Sequence, residues 1–179
     1  MLLTDLFLET ASRHGDRVAV DVPPGEGRSR RVQVRYAQLA GMADHIRQAL
    51  AEHVREEALV VVLLPRETPW LYAAQLGAMW AGAGYICLDG SFPDAHLEHV
   101  VRDAKAVCVV TNQAQRARFA GVDAPVIVVS ETCECVQDAA APFAPAPVWA
   151  DERSLAYACL LYTSPSPRDQ RGSRMPSSA

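Results

Sequence analysis

The chain has 179 residues, half of them hydrophobic and 21% charged, with a formal net charge of −4. That balance excludes a disordered polyelectrolyte, which would be less apolar and more charged, and it argues against a nucleic-acid backbone binder, which would be basic. The longest apolar run, residues 58–65, is far short of the roughly 20 residues of a membrane-spanning helix, and no basic segment precedes Met1-Leu2-Leu3 as a secretory signal would require. The length is that of one domain, at roughly 150 residues each.

Residues 3–14 read as an amphipathic helix with Leu6, Phe7 and Ala11 on one stripe and Thr4 as N-cap. Residues 17–21 form a short strand, Pro23-Pro24-Gly25-Glu26-Gly27 a turn, and residues 31–35 the returning strand of a hairpin. A long helix is predicted over 36–53, with Leu39, Met42, Ala43, Ile46 and Leu50 on its apolar face. Residues 58–64 are apolar throughout, as expected of a parallel strand covered on both faces. Thr68-Pro69 then pairs a cap residue with proline at the first helical position, and Gly82 stops that helix.

Residues 85–88 are a further buried strand, and Phe92-Pro93-Asp94 opens a helix to about Asp103. Strands are predicted at 106–111 and 125–129. The alanine- and proline-rich stretch 139–147 reads as a surface connection, and a new strand begins within 151–157. Strand–helix alternation with short loops implies an α/β fold: a Rossmann-like, mainly parallel sheet flanked by helices.

Local chemistry offers several candidates, and each fails a spacing test. Gly82-Ala83-Gly84 follows a helix and leads into a strand, the reverse of a dinucleotide loop, and reads as a helix C-cap with close packing. His96-Leu97-Glu98-His99 spaces its histidines three apart, whereas the zinc-protease helix needs four. Cys133-Glu134-Cys135 lacks a second ligand pair for structural zinc. The five cysteines are odd in number and read as reduced thiols. Arg28, Arg30, Arg31 and Arg35 lie on the hairpin without interleaved aromatic residues and read as a solvated face. No catalytic, cofactor-binding or metal-binding residue is assigned.

The order of segments carries more. Tyr36-Ala37-Gln38-Leu39 opens the long helix. Leu76-Gly77-Ala78-Met79-Trp80-Ala81-Gly82-Ala83-Gly84-Tyr85-Ile86-Cys87-Leu88-Asp89 follows, and then Ser91-Phe92-Pro93. With the opening Arg13-His14-Gly15-Asp16-Arg17-Val18-Ala19-Val20, these resemble the N-terminal part of the adenylate-forming ligases (AMP-dependent synthetases), and most of all the adenylation domains of nonribosomal peptide synthetases. Leu88-Asp89 followed by Phe92-Pro93 favours the amino-acid-activating branch over acyl-CoA synthetases. Cys87 and Gly90 depart from the family, which has proline at both places.

The resemblance implies a two-step cytoplasmic ligase. ATP and an amino acid give an acyl-adenylate and pyrophosphate, and the acyl group then passes to the thiol of a carrier-bound phosphopantetheine. Magnesium would neutralise the phosphates. Neither nucleic acid nor membrane is implied as a partner.

The resemblance breaks near the end of the chain. The family follows Leu-Ala-Tyr by two residues and then a glycine-rich phosphate loop with a lysine. Here four residues separate Leu155-Ala156-Tyr157 from Tyr162-Thr163-Ser164, Pro165 stands in place of glycine, and no lysine follows. Prolines remove the backbone donors such a loop supplies. Residues 1–158 are therefore expected to be the first portion of an adenylation domain, and residues 159–179 a disordered, non-native tail similar to translated sequencing-adapter read-through. A fragment of this kind would bind neither ATP nor magnesium and would be inactive. The alternatives are a complete small non-enzymatic α/β interaction protein with a disordered tail, an acyl-CoA synthetase-type member of the same superfamily, or a stand-alone nucleotide-binding domain.

Overall fold

A computed structural model describes residues 1–25, 29–130, 143–144, 146–147 and 149–159. Helix α1 (Leu3–His14) leads into a hairpin of β1 (Val18–Val22) and β2 (Val32–Arg35), paired antiparallel with a bulge between Val18 and Val20. There follow α2 (Tyr36–Leu50), β3 (Leu59–Leu63), α3 (Pro69–Trp80), β4 (Gly84–Cys87), α4 (Asp94–Asp103), β5 (Cys108–Asn112), a 3₁₀ turn (Arg116–Phe119) and β6 (Val126–Val129). The last four strands form one parallel sheet in the order β4-β3-β5-β6. The α/β architecture predicted from the alternation is thus present, with the hairpin as a separate two-stranded sheet.

Each face of the sheet has its own core. Val60, Val62, Cys108 and Val110 point to one face and pack with Met42, Ile46 and Leu50 of α2 and Ala73, Ala74 and Ala78 of α3. Val61, Leu63, Ile86 and Val109 point to the other and pack with Leu97 and Val101 of α4 and Phe119 of the 3₁₀ turn. This alternation explains why the central strand reads as continuously apolar: Val60 to Leu63 are all at most 2% exposed. The demand for cover on both faces is met in full there. It is met less well in β4, where Tyr85 is half-buried and Cys87 exposed.

Helix α2 buries all five residues of its predicted face, and it ends at Leu50 rather than at 53, because residues 51–53 tighten into a turn with the His53 and Val54 N–H groups both bonded to Leu50 O. Helix α3 approaches α2 closely at Gly77, where an added Cβ would lie 2.6 Å from Ala43 O and 2.7 Å from Ile46 Cβ. Thr68 caps α3 as expected, its Oγ1 accepting from Trp70 N, and Pro69 takes the first helical position. The helix ends in a Schellman motif: Ala83 N–H donates to Ala78 O, Gly82 N–H donates to Met79 O, and Gly82 adopts φ +84°.

Three expectations need correction. Thr4 is not the N-cap of α1. Leu2 takes that place, its N–H held at 2.8 Å by the Asp5 carboxylate, and Thr4 is buried inside the first turn. Leu6 accordingly faces solvent, and the buried stripe runs through Thr4, Phe7 and Ala11. The strand expected in 151–157 is reduced to one parallel bridge between Tyr85 and Tyr157. Its first residues turn instead, because Asp151 and Ser154 satisfy the local backbone: Asp151 Oδ1 accepts from Arg153 N at 2.8 Å and Ser154 Oγ from Asp151 N at 2.9 Å. The stretch 139–147 is described only in part. Phe143 and Ala144 within it are tied to the end of α3, since Phe143 meets the Trp80 ring edge-on at 5.9 Å and Trp80 Nε1 donates to Ala144 O at 2.8 Å.

Candidate functional site at the carboxyl edge of the sheet

From β3 the chain first moves outward to β4, then crosses back to β5 on the other side of β3. Adjacent connections therefore leave the β3–β5 junction in opposite directions. In open parallel sheets ligands bind beyond the carboxyl ends of strands at such a reversal. Leu64-Pro65-Arg66 leaves β3 here, Thr111 and Asn112 end β5, and Leu88-Asp89 leaves β4.

Two open cavities flank the β3 exit loop. One, of about 860 Å³, lies between that loop, the hairpin and the start of α3, with Asp21, Thr68, Trp70 and Asn112 in its wall. The other, of about 670 Å³, lies on the β4 side and is walled by Tyr72, Gln75, Cys87, Asp89 and Phe92. Pro65, Arg66 and Tyr72 belong to both.

The polar groups at this edge are tied in place. Thr111 is fully buried and its hydroxyl donates to Leu63 O at 2.8 Å, joining β5 to β3 at the reversal. Asn112 Oδ1 accepts from Gln115 N at 3.0 Å. Asp89 Oδ1 accepts from Ser91 N at 2.9 Å, and the Ser91 bonds, helped by Arg66 at 3.6 Å, hold the Asp89 carboxyl below its ordinary pKa. Cys87 Sγ accepts from Gln75 Nε2 at 3.3 Å, and although the residue is exposed overall, desolvation of its sulfur by the packed neighbours pushes the thiol up.

A tie that no local sequence signal announces comes from Arg118. Its guanidinium donates to Asp94 Oδ1 at 2.6 Å, to Gly90 O at 2.9 Å, to Gln115 Oε1 at 3.0 Å and to Phe92 O. One side chain thus fastens the loop after β4 to the segment after β5.

The motifs singled out in the sequence do not converge here. His96 packs edge-on against Phe92 at 5.1 Å, His99 is exposed, and Glu98 between them pairs with Arg102 at 2.7 Å. Arg31 is bonded to Asp21 across the hairpin (Nε to Oδ1, 2.7 Å), so that face is a solvated ion pair. Gly82 and Gly84 are packing positions: Cβ atoms there would lie 2.6 Å from Trp149 Nε1 and 3.0 Å from Leu155 O. Cys133-Glu134-Cys135, Arg28, and Tyr162-Thr163-Ser164 with the rest of 160–179 lie outside the described residues. Among the described residues no three His, Cys, Asp or Glu side chains gather as metal ligands, and no helix is long and apolar enough to cross a membrane.

Against this geometry the comparisons with known proteins can be set. A family model described as "AMP-binding enzyme" matches residues 7–166. The chain belongs to the AMP-binding enzyme family. Among relatives, a dimodular nonribosomal peptide synthase of Bacillus subtilis (strain 168) is 30% identical over 112 residues, which is 62% of this chain and 4% of the relative. The phosphinothricin tripeptide synthetase PhsC of Streptomyces viridochromogenes is 30% identical over 171 residues, 94% of this chain and 15% of the relative. A solved nonribosomal peptide synthetase in its alpha-methyl-L-serine-AMP-bound form superposes with a TM-score of 0.66 at 27% identity, covering 81% of this chain and 16% of that one. The fold is shared further with VinN, at a TM-score of 0.60 and 21% identity over 72% of this chain and 33% of that one. The chain therefore spans a small part of the relatives it matches.

Whether the described residues could hold a nucleotide and magnesium by themselves is a question of donors. The single lysine, Lys105, precedes β5 at the opposite, amino edge of the sheet. Arg66 is engaged with Asp89, and no carboxylate cluster is present among the described residues. These residues alone do not fit ATP phosphates or a magnesium ion.

Proposed function

We propose that this chain supplies the amino-terminal part of an ATP-dependent ligase that adenylates an amino acid and loads it onto a phosphopantetheine carrier in nonribosomal peptide synthesis in the cytoplasm. The observation that carries the reading is the placement of Tyr157. Tyr85 N–H donates to Ala156 O at 3.1 Å and Ala158 N–H donates to Tyr85 O at 2.9 Å, so residues 156–158 run parallel to β4 through a single bridge. They bring Cys159 to the wall of the 670 Å³ cavity beyond the carboxyl end of β4, an edge at which open parallel sheets bind ligands and at which backbone N–H groups of a following loop would cradle phosphate. The nonribosomal peptide synthetases among the relatives support the amino-acid substrate and the carrier partner.

In that role the parent enzyme would use ATP with magnesium, and the carboxylate of the amino acid would attack the α-phosphate with pyrophosphate leaving. This chain would contribute walls and positioning, with the charge-stabilising groups supplied by the remainder. Residues 159–179 remain, on this reading, a non-native tail. Amino-acid-dependent ATP–pyrophosphate exchange tests the reading. The purified 179-residue chain should give background exchange, and the product of the complete reading frame recovered from the genome should give exchange with one amino acid. Robust exchange by the short chain, or none by the long product with any amino acid, would overturn it.

A further inference from the structure

We propose that Arg118 is a positioning residue of the ligase, acting on ATP binding through the loop that follows β4. The inference rests on the functional reading above. It starts from a mismatch between Arg118 and its surroundings. The residue lies in a polar segment after β5, where an arginine would ordinarily be solvated, yet its side chain is only 19% exposed. Four bonds account for this: two go to the carbonyl oxygens of Gly90 and Phe92 in the loop, and one to the carboxylate of Asp94 at the start of α4. The fourth, to Gln115 Oε1, braces the guanidinium against its own segment.

A planar guanidinium with five donors is the one side chain that can satisfy several divergent oxygens in a fixed fork. The loop's other ties are short: Asp89 pairs with Arg66 at 3.6 Å and Phe92 packs edge-on against His96 at 5.1 Å. Asp89 and Ser91 form a local turn, closed by Phe92 N–H donating to Asp89 O at 3.2 Å. Gly90 sits over the clamp, its missing Cβ 3.8 Å from Gln115 Nε2 and 4.0 Å from Arg118 Nη1. The same loop supplies Asp89 and Phe92 to the 670 Å³ cavity at the carboxyl edge, and Cys159, two residues beyond the Tyr157 bridge, lines that cavity too. Arg118 thus fixes the β4-side wall of that cavity. It touches no substrate itself.

The clamp is tested at two levels. In this chain, Arg118→Lys keeps the charge but cannot span the three oxygens, and Asp94→Asn weakens one bond while leaving the carbonyl contacts. Hydrogen exchange at the Ser91 and Phe92 amides should quicken at least tenfold in Arg118→Lys and only a few-fold in Asp94→Asn. Exchange in the α2 and α3 amides should not change. In the complete ligase, Arg118→Lys should raise the KM for ATP at least fivefold while the KM for the amino acid moves less than twofold. Unchanged loop exchange would overturn the inference, as would a quickened loop with unaltered KM for ATP. If the wild-type complete product shows no exchange with any amino acid, the ligase reading falls and the positioning role with it. The amide exchange then still decides whether Arg118 holds the loop.

Discussion

Tyr157 stacks on Tyr85 across a parallel bridge, ring centroids 5.9 Å apart and planes inclined by 27°. Tyr85 is half-buried beneath it, and Tyr157 is 59% exposed. Two backbone bonds, one aromatic contact and the packing of Ala158 against the second core join residues 156–158 to the sheet. An aromatic pair of this kind contributes about 0.5–1.5 kcal/mol beyond its area.

The first prediction follows from that small margin. Tyr157→Ala should release residues 156–158 while leaving the sheet intact. The Ala158 amide should lose most of its protection from hydrogen exchange, and Val61 and Val109 amides should keep theirs. Simultaneous loss at all three would mean that the bridge is integral to the core.

Gly82 is the sharpest test of the α3–β4 connection. It holds φ +84° and faces Trp149 Nε1 at 2.6 Å and Pro147 Cγ at 3.0 Å from an added Cβ. Gly82→Ala combines left-handed strain of about 1–2 kcal/mol with overpacking of about 1–3 kcal/mol. Chemical denaturation should show a loss of about 2–4 kcal/mol. A loss of only about 1–2 kcal/mol, the strain alone, would show that the Trp149 segment does not pack there in solution.

Lys105 occupies the equivalent place after α4. Its φ is +48°, and the same pair of Schellman bonds runs from Ala106 N–H to Val101 O and from Lys105 N–H to Arg102 O. Here the strained residue is not glycine. Lys105→Gly should therefore stabilise the chain by about 0.5–1 kcal/mol, the relief of strain being partly offset by glycine's freedom in the unfolded chain. Urea midpoints of the two proteins compare them directly.

Cys108 gives a pH-dependent signature. It is fully buried at the start of β5, and burial pushes its thiol from 9.0 up to about 11. The folded chain holds this proton more tightly than the unfolded chain. Its contribution to stability is thus complete below pH 9 and is lost as pH rises toward 11. Cys108→Val, which has nothing to ionise, should lose less stability than the wild type over that window. Ellman's reagent should leave Cys108 unmodified in the folded chain at pH 8. Parallel stability curves for the two proteins would contradict the assignment.

Elements with strong local signals were legible from sequence. The all-apolar run of β3, the heptad-like face of α2 and the Thr68-Pro69 start with its Gly82 stop each encode their own boundaries, and the structure follows them closely. Thr4 misled because Asp5 competes for the start of α1 through the Leu2 N–H. The strand expected in 151–157 shortened because Asp151 and Ser154 turn the backbone before it can pair. The carboxyl-edge site was harder to see. Thr111, Asn112 and Asp89 acquire meaning only from strand order, and Arg118 sits in a polar stretch whose tie to Gly90 spans 28 residues. Local periodicity carries no trace of such a contact. Family resemblance encodes the order of the elements, and it assigned no residue at this edge.

The central claim is that residues 1–158 form the amino-terminal wall of an amino-acid-adenylating site. The most direct measurement is ATP–pyrophosphate exchange by a chimera in which these residues replace the matching part of an adenylation domain from the dimodular Bacillus subtilis relative. The account predicts amino-acid-dependent exchange with the selectivity of the Bacillus donor. A chimera that unfolds cooperatively yet exchanges only at background with that amino acid would contradict it.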